Sequence, residues 1–165
     1  MTRIAAGIGI CVMAAAAVHG QMPKYGVTVT AEKNVDFAKF TTYSWTQGQP
    51  SASKMIDAQV VAAVDRELGA LGMTKAASGT GDVLAAYYSL SRTDVDLKAK
   101  ADSAGLRPQY SVGTLMVALL EPGSRRRLLR MRIDQPIDTE PAKLEAAINT
   151  AVAALFAKYP TRVKK

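Results

Sequence analysis

The chain is poor in the two side chains that most often carry catalysis and metal binding. It has one cysteine, Cys11, and one histidine, His19. Both fall within the first twenty residues, MTRIAAGIGICVMAAAAVHG, where Arg3 precedes an uncharged, largely apolar run from Ile4 to Val18. Val18 and Gly20 put small residues three back from, and directly before, a cut ahead of Gln21. That layout predicts a secretory signal peptide over residues 1–20. A membrane-spanning anchor is the rival, but a span needs about 20 apolar residues and this run is shorter and rich in Ala and Gly. Lipid attachment at Cys11 would need a small residue before it, and Ile10 stands there, so Cys11 reads as part of the leader.

Cleavage would leave residues 21–165 without a thiol or an imidazole. No disulfide could form, although an oxidising compartment would permit one. Cys-His and Ser-His-Asp catalysis would be excluded, and zinc would lack its usual nitrogen and sulfur ligands. General acid–base work would fall to carboxylates, Lys or Tyr. The expected address is therefore beyond the inner membrane, periplasmic or peripherally bound to the envelope. No cofactor, metal site or catalytic residue is implied, and residues 21–165 read as one domain with a frayed basic tail at Arg162, Lys164 and Lys165.

What the chain does have is positive charge, +7 overall. Five of the eight residues in RRRLLRMR, Arg125 to Arg132, are arginine. In a strand successive side chains alternate in face. Leu129, Met131 and Ile133 then point one way, and Arg130, Arg132 and Leu128 the other. The run reads as a hairpin arm with an apolar inner face and a basic outer one. No aromatic residue is interleaved with the arginines, as single-strand nucleic-acid sites usually require. A solvated basic sheet face is the leading reading; as a second, Arg126, Arg130 and Arg132 are candidates for contact with an unknown envelope protein or an anionic envelope surface.

The rest of the chain punctuates clearly. VTVT, Val27 to Thr30, alternates as a strand, and Thr41 to Trp45 is a second aromatic and β-branched run. Ser53 can cap a helix whose stripe is Ile56, Val60, Val64, Leu68 and Leu71, with Asp57 in its first turn and Gly72 just past its end. VLAAYYSL, Val83 to Leu90, fits an interior strand. Arg92 to Gln109 reads as a long charged surface excursion. Thr114 to Glu121 is a strand, PGS a turn, and the arginine run returns beside it. Thr139 can cap a last helix with Pro141 in its first turn and Leu144, Ile148, Val152, Leu155 and Tyr159 as its stripe, before Pro160 stops it. The order β-β-α-β-β-β-α predicts an α+β fold: one sheet of about five mainly antiparallel strands with both helices on one face.

Other patterns support plainer readings. Tyr43, Trp45 and Tyr88 could form an aromatic rim for a lipid or glycan, although such residues more often seal the end of a core. Asp94, Asp96 and Asp102 lack the glycine and closing glutamate of a calcium loop. Ser53 and Lys54 adjoin with no sign of an oxyanion site. SGTGD precedes a strand, whereas a phosphate cradle opens a helix.

The segments FAKFTTYSW, ELGALGM, DVLAAYYSL, YSVGTLMVALLEPGSRRRLLRMRI and AINTAVAALFAKYP, in that order, resemble the domain-of-unknown-function 4136 family. The resemblance implies a small exported protein of the bacterial envelope, often a lipoprotein, with no activity established for the class. The family's hairpin commonly carries acids where this chain has Ala118 and Glu121, and a Trp-Arg pair where it has Leu129 and Arg130. The expectation that follows is a non-enzymatic interaction or accessory module. The alternatives are a carrier holding a lipid or glycan between sheet and helices, and a hydrolase using carboxylates.

Overall fold

The structure, a computed structural model, describes residues 26–137 and 140–161. The expected signal peptide, the Thr139 cap and the basic tail lie outside the described residues. The elements are β1 (Gly26–Ala31), a short 3-10 turn (Phe37–Lys39), β2 (Thr42–Trp45), α1 (Lys54–Ala70), β3 (Thr74–Lys75), β4 (Val83–Val95), β5 (Gln109–Leu120), β6 (Arg127–Pro136) and α2 (Pro141–Phe156). The strands form one sheet in the order β1-β6-β5-β4-β2-β3. Each neighbouring pair among β1, β6, β5 and β4 is antiparallel, whereas β4, β2 and β3 run parallel. The α+β expectation holds, with six strands rather than about five.

Alternation along the strands explains where the core sits. Val83, Ala85 and Tyr87 of β4, Val117 and Leu119 of β5, and Leu129, Met131 and Ile133 of β6 are buried in one cluster. The same cluster takes in Val60, Val64 and Leu68 of α1 and Ile148, Val152, Leu155 and Phe156 of α2. Both helices therefore cover the same face of the sheet. Each large side chain fully buried there contributes about 1.5–3 kcal/mol. Ser53 caps α1 by accepting from the Ile56 amide, and Gly72, at φ +85°, takes the left-handed conformation just beyond its end. In α2 the cap position is Glu140, with Pro141 following it at the first helical position. Tyr159, past the helix end, stacks on Phe156 and meets Phe37 edge to face, closing the lower end of the core.

Two expectations are corrected, and one strand is added. The sequence from Arg92 to Gln109 is not one surface excursion, because β4 continues to Val95 and β5 begins at Gln109. The two strands pair through Val95↔Gln109, which leaves a loop over residues 96–108. Leu128 does not join the arginines. The register shifts between Leu119 and Leu120, so that Leu119 pairs with Leu129 and Leu120 with Arg127. This bulge leaves Leu128 as the extra residue and brings it into the core beside Leu129. Finally, Thr74–Lys75 adds a two-residue strand beside β2 through the Thr74 amide to Thr41 O and the Ala76 amide to Tyr43 O.

Candidate functional site

β4, β5 and β6 run on beyond the well-packed part of the core, toward the end where both helices begin. There the small side chains leave space. A cleft of about 510 Å³ opens between the sheet and the helices. Its floor is Ser89 and Ser91 on β4, Gly113 and Leu115 on β5, and Ile133 and Gln135 on β6. Ile56 and Val60 of α1 form one wall, and Leu144, Ala147, Ile148 and Ala151 of α2 the other. The segments Gln49–Ala52 and Pro136–Ile137 form the rim. Gly113 shapes the far end: a Cβ there would stand 3.0 Å from Ile137 Cγ1, so its missing side chain lets Ile137 fold over the floor.

The lining chemistry is narrow. In a chain of which 21% is charged, no charged side chain among the described residues lines the cleft. No aromatic ring among them does either. The surface is aliphatic, with hydroxyls and amides of Ser51, Ser89, Ser91, Gln49 and Gln135 spaced along it. The volume falls within the ~300–1,000 Å³ typical of small-molecule sites, which pair an apolar lining with a few polar groups.

The residues singled out in the sequence lie outside the cleft; of the aromatic set, Tyr43 and Trp45 meet at one carboxylate and Tyr88 stands apart. Tyr43 is buried, and its hydroxyl donates to Asp65 Oδ1 at 2.8 Å, as does Trp45 Nε1, also at 2.8 Å. Lys75 approaches the same carboxylate from β3 at 3.4 Å. Burial, then the Asp65 hydrogen bond, pushes the Tyr43 phenol far above its usual range. Tyr87, edge to face with Trp45, donates to Asp57 and accepts from the Ser51 amide. Burial and the Asp57 bond raise its pKa to about 12. These contacts tie β2 and β4 to α1. Gly48 completes them, since a Cβ there would lie 2.1 Å from Tyr87 O and drive the β2–α1 segment off β4. Tyr88, the third member of the expected rim, is on the opposite face of the sheet, paired with Met116.

Arg126, Arg130 and Arg132 are spread along β6 and its turn, and two of them are neutralised locally. Arg126 bonds Glu121 at 3.2 Å and approaches Glu32 at 3.9 Å. Arg132 holds Asp134 with two bonds of 2.9 Å. Arg92 reaches Asp134 at 3.1 Å and Asp94 at 3.0 Å, and Thr114 Oγ1 also donates to Asp134. Partial burial opposes ionisation of Asp134, but the bonds from Arg132, Thr114 and Arg92 outweigh it and hold its pKa at about 2. Arg130 directs its Nε–H to the Met116 sulfur at 3.0 Å. The outer face is thus an internally paired network flanking an apolar strip that includes Ala86, Ala118 and Met116. Asp96 and Asp102 bond amides of their own loop. Among the described residues no group of three or more His, Cys, Asp or Glu side chains gathers, and no helix is long and apolar enough to cross a membrane.

Sequence reasoning offered a space between sheet and helices as an alternative but did not identify its lining, because the residues come from five separated segments and are individually ordinary. The one available signal is the set of small residues, Ser89, Ser91, Gly113, Ala147 and Ala151, at positions where alternation and the helix stripe call for bulk.

The fold is shared with solved structures of low sequence identity. A PDZ domain protein from Parabacteroides distasonis matches with a TM-score of 0.59 at 12% identity over 86% of this chain. The chain spans 36% of that protein's length. The PelC dodecamer from Paraburkholderia phytofirmans matches with a TM-score of 0.56 at 8% identity, covering 86% of this chain and 100% of PelC. No curated protein matches by sequence. The domain of unknown function DUF4136 matches residues 27–161, nearly all of the described fold, and the chain belongs to that family.

Proposed function

We propose that this protein is an exported, non-enzymatic binding protein of the bacterial envelope that holds an aliphatic chain of lipid type in the cleft between its sheet and its helices. The cleft is the observation that carries the reading: about 510 Å³, lined by uncharged side chains. A charged ligand would lose its hydration there without a partner. A sugar would find no aromatic face to stack on. An acyl chain would exchange water for Ile, Leu, Val and Ala side chains, at roughly 0.8 kcal/mol per buried methylene. The apolar leader-like run from Ile4 to Val18 supports export.

The test is equilibrium binding of a fluorescent long-chain fatty acid. Saturable binding, displaced by unlabelled lipid and weakened about tenfold or more by Ala147→Trp, is the expected result. Ala147 is half-buried on the cleft wall, so the indole fills the cavity without displacing packed core. Absence of binding, or equal binding by the folded variant, rejects the reading.

A second reading, an interaction module, rests on the open edge of β4. β2 pairs with β4 only over Val83–Ala85, and the last backbone bond on that side is the Ser89 amide to Gln49 O. Odd-numbered residues of β4 aim their backbone groups at this edge, so those of Ser91, Thr93 and Val95 offer a pairing site for an extended segment. A photo-crosslinker at Ser91 should trap a partner in intact cells, and Thr93→Pro should abolish the adduct. An adduct that survives the proline rules out strand addition there.

A further inference from the structure

Beyond the cleft, β4 and β5 carry a hairpin tip, residues 96–108, at the same end of the sheet. Of the five most exposed large apolar side chains among the described residues, four are on this hairpin: Leu90, Val95, Leu97 and Leu106. Leu97 is 59% exposed and Leu106 66%. Leaving such side chains in water is unfavourable, and a slack loop could tuck them away. This one is built so that it cannot. Asp96 Oδ1 accepts from the Lys98 and Ala99 amides, and Asp102 Oδ1 from the Ala104 and Leu106 amides. The Asp102 amide donates to Leu106 O at 2.7 Å, and the Asp96 amide to Pro108 O at 2.8 Å. Arg107 Nη1 donates to Leu97 O across the tip. Both leucines are thereby held exposed at the hydrogen-bonded tip.

The charges around them are unequal in availability. Both loop aspartates are turned back onto loop amides. Lys98 and Lys100 are exposed and meet no carboxylate within ion-pair distance among the described residues. We infer that this tip docks the protein on an anionic lipid bilayer, with Leu97 and Leu106 entering the boundary between headgroups and acyl chains while Lys98 and Lys100 meet the headgroup charge. Two exposed aliphatic side chains accompanied by two ammonium groups suit a deformable, negatively charged interface better than a preformed protein pocket. The docking surface lies at the pole opposite the Arg125–Arg127 turn, toward the end of the sheet where Ser89, Ser91 and Gly113 line the cleft.

The test is flotation of the chain beginning at Gln21, which keeps every described element, with vesicles of phosphatidylcholine alone or mixed with phosphatidylglycerol. Binding should require phosphatidylglycerol and weaken at high salt. Leu97→Ser with Leu106→Ser should lower the partition coefficient about tenfold or more. Lys98→Ala and Lys100→Ala should each lower it about fivefold. The thermal unfolding of these variants should match that of the parent, because all four side chains stand outside the core. Ala147→Trp, which fills the cleft, should float normally, so failure of the ligand reading and failure of this one give different results. If the parent chain ignores anionic vesicles, as it would were the tip a protein-docking element, the inference is wrong. It is equally wrong if the double leucine variant floats like the parent.

Discussion

Asp134→Asn probes whether the arginine-rich strand is an open cationic surface or a self-neutralised one. In the structure the Asp134 carboxylate accepts from Arg132, Arg92 and Thr114, and its pKa is held at about 2. The unfolded chain should ionise near pH 3.9, about two units higher. At about 1.4 kcal/mol per unit, the upper bound on the stabilisation is roughly 2.5 kcal/mol. The partner arginines are 37% and 39% exposed, and water screens and competes for them. An effect of about 1–2 kcal/mol is therefore expected near neutral pH. Because the folded pKa is depressed, the contribution is complete above about pH 4 and disappears as pH falls through about 2. Other acids with depressed pKa values, such as Asp82, are common to both proteins and cancel in the difference. Urea unfolding of parent and variant should show a gap of that size near pH 7, closing toward pH 2. Equal stability near pH 7, or a gap that persists undiminished near pH 2, would refute the reasoning.

Asp82 pins the start of β2 to the start of β4, accepting from the Thr41 and Thr42 amides and the Thr41 hydroxyl. These bonds hold its pKa at about 2. Asp82→Ala should speed hydrogen exchange at Thr41 and Thr42 and lower the melting temperature, and the parent's advantage should fade as pH drops from about 4 toward 2. Met131→Ala, at a fully buried position, should cost about 2–5 kcal/mol, read as a lower urea midpoint at unchanged slope. Tyr87→Phe should remove one phenol that titrates near pH 12 in an ultraviolet pH titration. Its raised pKa contributes stability that is complete below about pH 10 and is lost as pH rises through about 12.

Much of the fold could be read in the sequence, and the reasons are local. Ser53, the Ile56–Leu71 stripe and Gly72 mark α1 at both ends, because cap chemistry and helical periodicity act within a few residues. β6 announces itself by alternation, since one face is core and the other meets water. The outer ends of β4 and β5 do not. Past the helices both faces of Arg92–Val95 and Gln109–Ser111 are wet, so no apolar period marks them as strands. β3 is two residues long and exists only because β2 offers an edge. Leu128 moved to the core through a bulge, which alternation cannot foresee. The candidate site was less legible still. Tyr43, Trp45 and Tyr88 suggested one rim, but strand parity puts Tyr88 on the far face. Arg126 and Arg132 read as free in the sequence because nothing local shows that the side chains of Glu121 and Asp134 turn onto them. The cleft is defined by side chains too small to fill it, and smallness at five scattered positions has no signature until the elements are assembled.

The claim that the cleft carries an aliphatic ligand is tested most directly by native mass spectrometry of the protein isolated from its native cells under non-denaturing conditions. The expected spectrum shows a lipid-sized adduct at one per chain, released by organic solvent and missing from Ala147→Trp. A spectrum of bare protein for the parent chain, or an adduct that persists undiminished in Ala147→Trp, would contradict it.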